Sequence, residues 1–249
     1  MLFRSTEAEA AWRQALATYV AVLGNDHAEV ATIMNNLGAA LRRLGRLDEA
    51  EPIFREAVAI RRRQSGDQHP ELAVALNNLA LLMRAKGDTA AGAEMLREAL
   101  AIMRKAYGES HPNVTATLAN LGEMLHETNA PDAESMIEEA LVQRRKTLTP
   151  DHPTVLASMC ALAHARAERG DARGAETMLR EALPMIEKTS TPDNPRLAQA
   201  RGYLGGALLD LGKREEAEPL LRESLKTLEK TGSAHDREYV RKKLARFSS

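Results

Sequence analysis

The 249-residue chain is poor in aromatic side chains, which make up 3 % of it and include a single tryptophan. Its hydrophobic fraction of 44 % must therefore be built from Ala, Leu, Met and Val. These are mostly good helix formers, and the small ones let helices approach closely. One cysteine, Cys160, excludes an internal disulfide and a cysteine-held zinc. Its apolar surroundings mark it as a buried thiol acting as a small hydrophobe. Charge of one sign is lacking as well: 34 basic residues face 35 acidic ones, for a formal charge of -1. That argues against bulk attraction to nucleic acid or anionic lipid. No apolar run reaches the roughly 18 residues of a membrane span. The stretch Met1 to Trp12 carries Arg4, Glu7 and Glu9 where a signal peptide would have an apolar core. A cytoplasmic protein that is not membrane-bound is expected. Gly-rich phosphate loops, Gly-x-Ser-x-Gly and His-Glu-x-x-His are absent from the sequence, so no enzyme, metal or cofactor is expected.

What is present is a repeat. Leu37, Leu79, Leu121, Leu162 and Leu204 are spaced 42, 42, 41 and 42 residues, and each is followed by Gly or Ala. Eight residues after each comes Gly45, Gly87, Asn129, Gly170 or Gly212, residues that tolerate the left-handed conformation closing a helix. A second segment carries Ala57, Ala99, Ala140, Ala182 or Ser224, each three residues after a large apolar side chain: Phe54, Leu96, Ile137, Leu179 and Leu221. The 41-residue step is a shortening after Asn129, in a turn, where deletions cost least. Each repeat reads as helix, short turn, helix, longer loop. His69-Pro70, His111-Pro112, His152-Pro153 and Asn194-Pro195 place Pro in the first turn of the first helices. Acids open the second helices and bases close them (Arg61 to Arg63, Arg104-Lys105, Arg144 to Lys146), which suits the helix dipole and reads as solvated helix ends. His27, His69, His111 and His152 recur once per repeat. Helices packed about 8–10 Å apart cannot bring such equivalents onto one zinc at about 2 Å per bond, so they read as helix-start hydrogen bonders.

The strings Met34-x2-Leu37-Gly38-x2-Leu41 and Ala50-x3-Phe54-x2-Ala57 resemble the tetratricopeptide family. The family's usual period is 34 residues. The longer 42-residue period here, with Asn35-Asn36-Leu37-Gly38, Asn77-Asn78-Leu79-Ala80 and the His-Pro loops, resembles its kinesin-light-chain subclass. The resemblance spans residues 6 to 232 and implies an all-α, right-handed α-solenoid of stacked antiparallel helix pairs, with about 12 helices. The expected organisation is one domain, 1–249: an orphan second helix at 6–23; five hairpins at 28–66, 70–108, 112–149, 153–191 and 195–232; and a capping helix at 235–247. Arg166 and Arg201 stand where the pattern expects apolar residues.

The resemblance also implies a protein-binding scaffold or adaptor that takes an extended peptide in a groove lined by first helices. The residues it places there are Thr32, Asn35, Asn36 and Arg43; Asn77, Asn78 and Arg84; Asn120, Glu123, His126 and Glu127; His164; and Gln199 and Tyr203. Asn36, Asn78 and Asn120 occupy one repeat position, and an amide row can pair with the N–H and C=O groups of an extended chain. The alternative is that each Asn bonds a neighbouring helix and only spaces the repeats. Arg42, Arg43, Arg84 and Lys86 favour an acidic peptide over the first two repeats. The segment Ala15 to Leu23 is apolar apart from Thr18 and expects cover on more than one side. Trp12, Leu16 and Tyr19 are thus candidates for a homodimer face, and an oligomerising or regulatory scaffold arm is the second functional reading. The basic last helix (Arg237, Arg241 to Lys243, Arg246) is the weaker nucleic-acid alternative.

Overall fold

The computed structural model describes residues 2–231 and 234–247. The described residues form twelve α-helices: α1 Leu2–Leu23, α2 Ala28–Arg43, α3 Leu47–Ser65, α4 Pro70–Ala85, α5 Thr89–Tyr107, α6 Pro112–Glu127, α7 Ala133–Thr147, α8 Pro153–Glu168, α9 Ala172–Thr189, α10 Pro195–Asp210, α11 Arg214–Thr231 and α12 Ala234–Ala245. The chain is all-α, and within each part of it successive helices pack antiparallel, as in a tetratricopeptide-type solenoid. It divides into two compact units, Met1–Pro131 and Asp132–Ser249, whose boundary falls in the turn where the repeat period shortens. In the N-terminal unit each helix from α1 to α6 packs on the next, and α2 also meets α4. In the C-terminal unit α7 to α12 do likewise, with α8 meeting α10 and α10 meeting α12. Helix α1 starts at Leu2 rather than residue 6, and the expected end of the fifth hairpin, residue 232, lies outside the described residues.

The turns inside the hairpins share one chemistry. Gly45, Gly87, Asn129, Gly170 and Gly212 all have positive φ, with Asn129 at 56°. The following residue's N–H reaches back to the carbonyl of Leu41, Met83, Leu125, Arg166 or Leu208, at 2.8 to 3.0 Å. This is a Schellman closure, which satisfies carbonyls that a helix end leaves open. The loops between hairpins are equally uniform. Nδ1 of His27, His69, His111 and His152 accepts the backbone N–H two residues on, at 3.2 to 3.3 Å, and Asn194 Oδ1 does the same for Arg196 at 2.9 Å. The recurring histidines are N-caps, in the role that Ser, Asp and Asn usually fill.

The repeat positions form the core. Leu37, Leu79, Leu121, Leu162 and Leu204 are all buried, as are Phe54, Leu96, Ile137, Leu179 and Leu221. Ala57, Ala99, Ala140, Ala182 and Ser224 are fully enclosed, and the Ser224 hydroxyl donates to the Ala198 carbonyl at 2.6 Å. Gly38 lies so close to Phe54 that an added Cβ would stand 2.8 Å from the ring. Cys160 is buried, and burial pushes its thiol up to about 12. Arg166 and Arg201 are accommodated by carboxylates: Arg166 meets Glu134 and Glu138, and Arg201 meets Glu187 and Glu223. One expectation fails. Arg61 is no solvated helix end but a buried cation, reaching Thr32 Oγ1 at 2.5 Å and the Glu71 carboxylate. Three of its counterparts, Met103, Ile186 and Leu228, are buried too, and the fourth, Arg144, is half-buried and donates to the Thr154 carbonyl at 3.1 Å, so a guanidinium at this position must find its partners within the protein. No described helix is long and apolar enough to cross a membrane.

Candidate functional site

The residues expected to face a ligand divide sharply by environment. In the N-terminal unit, α2, α4 and α6 carry eleven of them. Thr32 is half-buried and holds Arg61. Arg84 is clamped by the next first helix: its Nη1 donates to Glu123 at 2.9 Å, and its Nε and Nη2 donate to Glu127 at 2.9 and 2.5 Å. Burial disfavours the charge on Arg84, but the two carboxylates outweigh it and raise its pKa above the ordinary arginine value. Glu127 also accepts from Thr89 at 3.3 Å. The charge on Arg84 is therefore fully compensated by Glu123 and Glu127, and Lys86 is likewise held by Asp48 and Glu51 at 2.6 Å each. The expected basic lining of the second repeat is engaged within the protein.

The asparagines separate in the same way. Asn120 Nδ2 donates to Asn77 Oδ1 at 3.0 Å, linking α6 to α4. The row expected through Asn36, Asn78 and Asn120 is thus broken at Asn120, which serves helix spacing. One repeat earlier, the pair equivalent to Asn77 and Asn120 is Asn35 and Asn78. These two are not joined: Asn35 is buried with its Oδ1 unpartnered, and Asn78 is half-buried with no side-chain hydrogen bond. Asn36 is half-buried and also unbonded. His126 is half-buried on α6.

The arginine equivalent to Arg84 one repeat earlier is Arg42. Where Arg84 finds Glu123 and Glu127, Arg42 would find Leu81 and Ala85, and it has no carboxylate partner. Its Nε is shielded from water without a hydrogen bond. Burial, and then the neighbouring Arg43 charge, hold its pKa below the ordinary arginine value. Arg43 is exposed and makes no ion pair. By contrast, Arg13, Arg46, Arg55, Arg61, Arg62, Arg63, Arg84, Arg97 and Arg104 of this unit each meet a carboxylate. The α2–α4 step thus carries two uncompensated guanidiniums and three unengaged amides, while the α4–α6 step has satisfied the same groups.

In the C-terminal unit the expected ligand-facing residues are mostly enclosed. His164 is buried and stacks on Tyr203 with ring centroids 4.0 Å apart and an interplanar angle of 9°. Tyr239 of α12 meets both rings edge-on, at 4.6 and 5.5 Å. The Tyr203 hydroxyl donates to Asp236 at 2.7 Å, and Gln199 Nε2 donates to Asp236 at 3.1 Å. Here Gln199, Tyr203 and His164 anchor the last helix. The sequence reading missed Asp236, whose single acidic side chain near the start of α12 gives no repeat signal.

At the N-terminal end, Trp12 and Leu16 of α1 are half-buried against the core of α2 and α3, so their cover comes partly from within. Tyr19 is 41 % exposed. Glu9 ties α1 to the turn between α2 and α3 through Arg46 at 2.7 Å and pairs with Arg13 of its own helix at 2.8 Å; the hydrogen bond from Arg13, with some help from Arg46, holds its carboxyl below the usual range.

Family models described as tetratricopeptide repeat match residues 2–63, 29–105, 71–132 and 126–188, and a second such model matches 197–231. Among solved structures, the nearly identical TPR-like repeats of a kinesin light chain-like protein from Podosopora anserina share 24 % identity with this chain. They superpose with a TM-score of 0.66 over 83 % of this chain and 99 % of that one. BtubC (BKLC) from P. vanneervenii shares 19 % identity, with a TM-score of 0.68 over 91 % of this chain and 89 % of that one. At these identities the likeness concerns the fold. No curated protein matches the chain.

Proposed function

Since the chain belongs to the tetratricopeptide repeat family, a family of protein-interaction scaffolds, we propose that it is a non-catalytic adaptor binding an extended acidic peptide along α2 and α4. The observation that carries this reading is the contrast between two adjacent repeat steps. Between α4 and α6, the Asn pair is joined and the arginine is neutralised. Between α2 and α4, Asn35, Asn36 and Asn78 are unengaged, Arg42 is partly desolvated without an anion, and Arg43 adds a second positive charge.

A guanidinium withdrawn from water without a partner is costly, and an incoming carboxylate repays that cost on binding. Half-buried amides can pair with the peptide main chain whatever its side chains, which leaves charge to choose the ligand. Apolar contacts must supply the remaining affinity, because exposed ion pairs contribute only about 0–1 kcal/mol each.

The test is binding of a fluorescein-labelled twelve-residue peptide containing four Glu, against its Gln counterpart. The acidic form should bind at least tenfold more tightly. Arg42→Met with Arg43→Met should remove that preference, and Asn36→Ala with Asn78→Ala should weaken both peptides. Equal affinity for the two peptides, or an acidic preference that survives loss of both arginines, overturns the reading.

A further inference from the structure

Helices α2, α4, α6 and α8 begin at His27, His69, His111 and His152, whereas α10 begins at Asn194. In each histidine cap Nδ1 is the acceptor, at 3.2 to 3.3 Å from the N–H of Glu29, Glu71, Asn113 and Thr154. An imidazole accepts only through the nitrogen that carries no hydrogen, so each ring keeps its hydrogen on Nε2. Nδ1 is then also the atom that a second proton must enter, and an imidazolium accepts nothing. Cap and proton exclude one another. None of the four rings is buried, so solvent can deliver the proton. Asn194 caps α10 with a carbonyl oxygen, at 2.9 Å from the Arg196 N–H, and that oxygen does not titrate.

We infer that the histidine caps are an acid-sensitive latch: below about pH 6 the helices they open lose their caps together. The response is concentrated in the N-terminal unit. His27, His69 and His111 cap all three of its first helices, while the C-terminal unit has one histidine cap, His152, beside the inert Asn194.

The surrounding charges decide the sign. Against the proton stand the lost acceptor and the positive end of the helix dipole, which repels an imidazolium. For it stand the acids of the loops: Asp26 and Glu29 around His27, Asp67 and Glu71 around His69, Glu109 before His111 and Asp151 before His152. Most of these are already engaged. Asp26 pairs with Arg63 of α3 at 2.7 Å, Asp67 with Arg62 at 4.0 Å, Glu71 with Arg61, and Glu109 with Arg104 of α5 at 2.7 Å. Asp151 accepts from the Thr149 hydroxyl at 2.6 Å and feels the charge of Lys188 in α9. Lys105 of α5 donates to Gln68 beside His69 at 3.2 Å and adds positive charge there. Only at His111 does a neutral group favour the cation, since the Tyr107 ring stacks on it at 4.2 Å, so that cap yields last. With the acids held by cations, loss of the caps prevails, and the unfolded chain takes up these protons more readily than the folded one. Stability is therefore full above about pH 6.5 and falls as the pH drops through the ordinary imidazole range.

Urea unfolding of the full chain, followed by Trp12 fluorescence, reads the N-terminal unit, which holds the only tryptophan. The test compares wild type with the triple variant His27→Asn, His69→Asn, His111→Asn, each protein at pH 7.5 and at pH 5.5. The variant repeats the Asn194 cap three times and leaves His126, His152, His164 and His235 in place, so their titration is common to both proteins. Each cap is worth about fivefold in the folding equilibrium constant. Three caps, partly lost at pH 5.5, should make the acid-induced drop at least tenfold larger in wild type than in the variant. A wild type whose drop is no larger than the variant's overturns the inference. A second measurement needs no variant: nitrogen-15 correlation spectra of the native histidine rings at pH 7.5 should show four rings with hydrogen on Nε2 and a bare Nδ1. Hydrogen on Nδ1 of the capping histidines at that pH overturns the inference too.

Discussion

Gly38 offers a test in which the sign of the effect decides. A glycine inside a helix is ordinarily a weak point, and Gly→Ala there stabilises by about 1 kcal/mol. Gly38 lies in α2 with the Phe54 ring against it, and an added Cβ would meet Cε1 and Cζ at 2.8 Å and Cε2 at 2.9 Å. Carbon atoms prefer about 3.5–4.0 Å. Phe54 is 0 % exposed and cannot swing into solvent, so the ring or the helix must move. Overpacking of this kind costs about 1–3 kcal/mol. Set against the gain in helix propensity, Gly38→Ala should lose about 1 kcal/mol overall. The second repeat supplies the rescue, since it places Ala80 with Leu96 at the same two positions. Phe54→Leu alone should cost about 1–2 kcal/mol, less than full truncation to Ala at about 3–5. The double variant should be more stable than the sum of the two losses by about 2 kcal/mol, because the alanine then fits and its helical preference is expressed. Trp12 is the only tryptophan and packs on the cluster containing Phe54, so its fluorescence in urea reports this region directly. If Gly38→Ala raises the unfolding midpoint, or the two substitutions are additive, the close packing of Gly38 on Phe54 is refuted.

Two further outcomes follow from local contacts. His111→Ala should lower stability by about 1 kcal/mol while His111→Asn preserves it, because Nδ1 only has to accept the Asn113 N–H and Asn194 does the same for Arg196; urea titration distinguishes the two, and equal losses would show that the stacking of His111 on Tyr107 matters instead. Cys160 should resist iodoacetamide in the native protein at pH 8, since its thiol is buried and pushed up to about 12, and should react fully once urea unfolds the chain; rapid native labelling, followed by mass spectrometry, would contradict that burial.

The repeat made the core legible before any coordinates. Leucine spacing located the buried face of each first helix, and the paired large and small positions located the contact of Phe54 with Gly38 and the enclosed Ala57. Turns were legible for the same reason, as Asn129, a residue type that tolerates the left-handed conformation, stands where the other hairpins have glycine. The placement of long polar side chains was not. Arg61 reads as one of three basic residues closing a helix, yet it stands 42 residues before Met103. That apolar counterpart, with Ile186 and Leu228, was the available sign of burial, but Arg144 at the same position of the third hairpin masks it. Arg84, Glu123 and Glu127 read as opposite charges lining one face, but only three-dimensional reach shows that they satisfy one another. The enclosure of Tyr203 and His164 depends on Asp236 and Tyr239 in a helix that occurs once and so lies outside the repeat's logic.

The same distinction bears on where a ligand can be read from a repeated sequence. A role that recurs in every copy, such as the cap made by four histidines and by Asn194, is something each copy needs in order to fold. Function must then be sought where one copy keeps a residue type but lacks the partner that satisfies it elsewhere. Arg42 and Arg84 are equivalent, yet only Arg84 has Glu123 and Glu127 before it, because Leu81 and Ala85 occupy those places one repeat earlier. Asn35 and Asn78 match Asn77 and Asn120, yet only the second pair is bonded. Packing alone would favour an apolar residue at position 42, as a charge left without a partner is among the least favourable groups to shield from water. Its retention beside Arg43 and three unengaged amides makes the first repeat step, and not the more regular second, the place where an outside anion has most to supply.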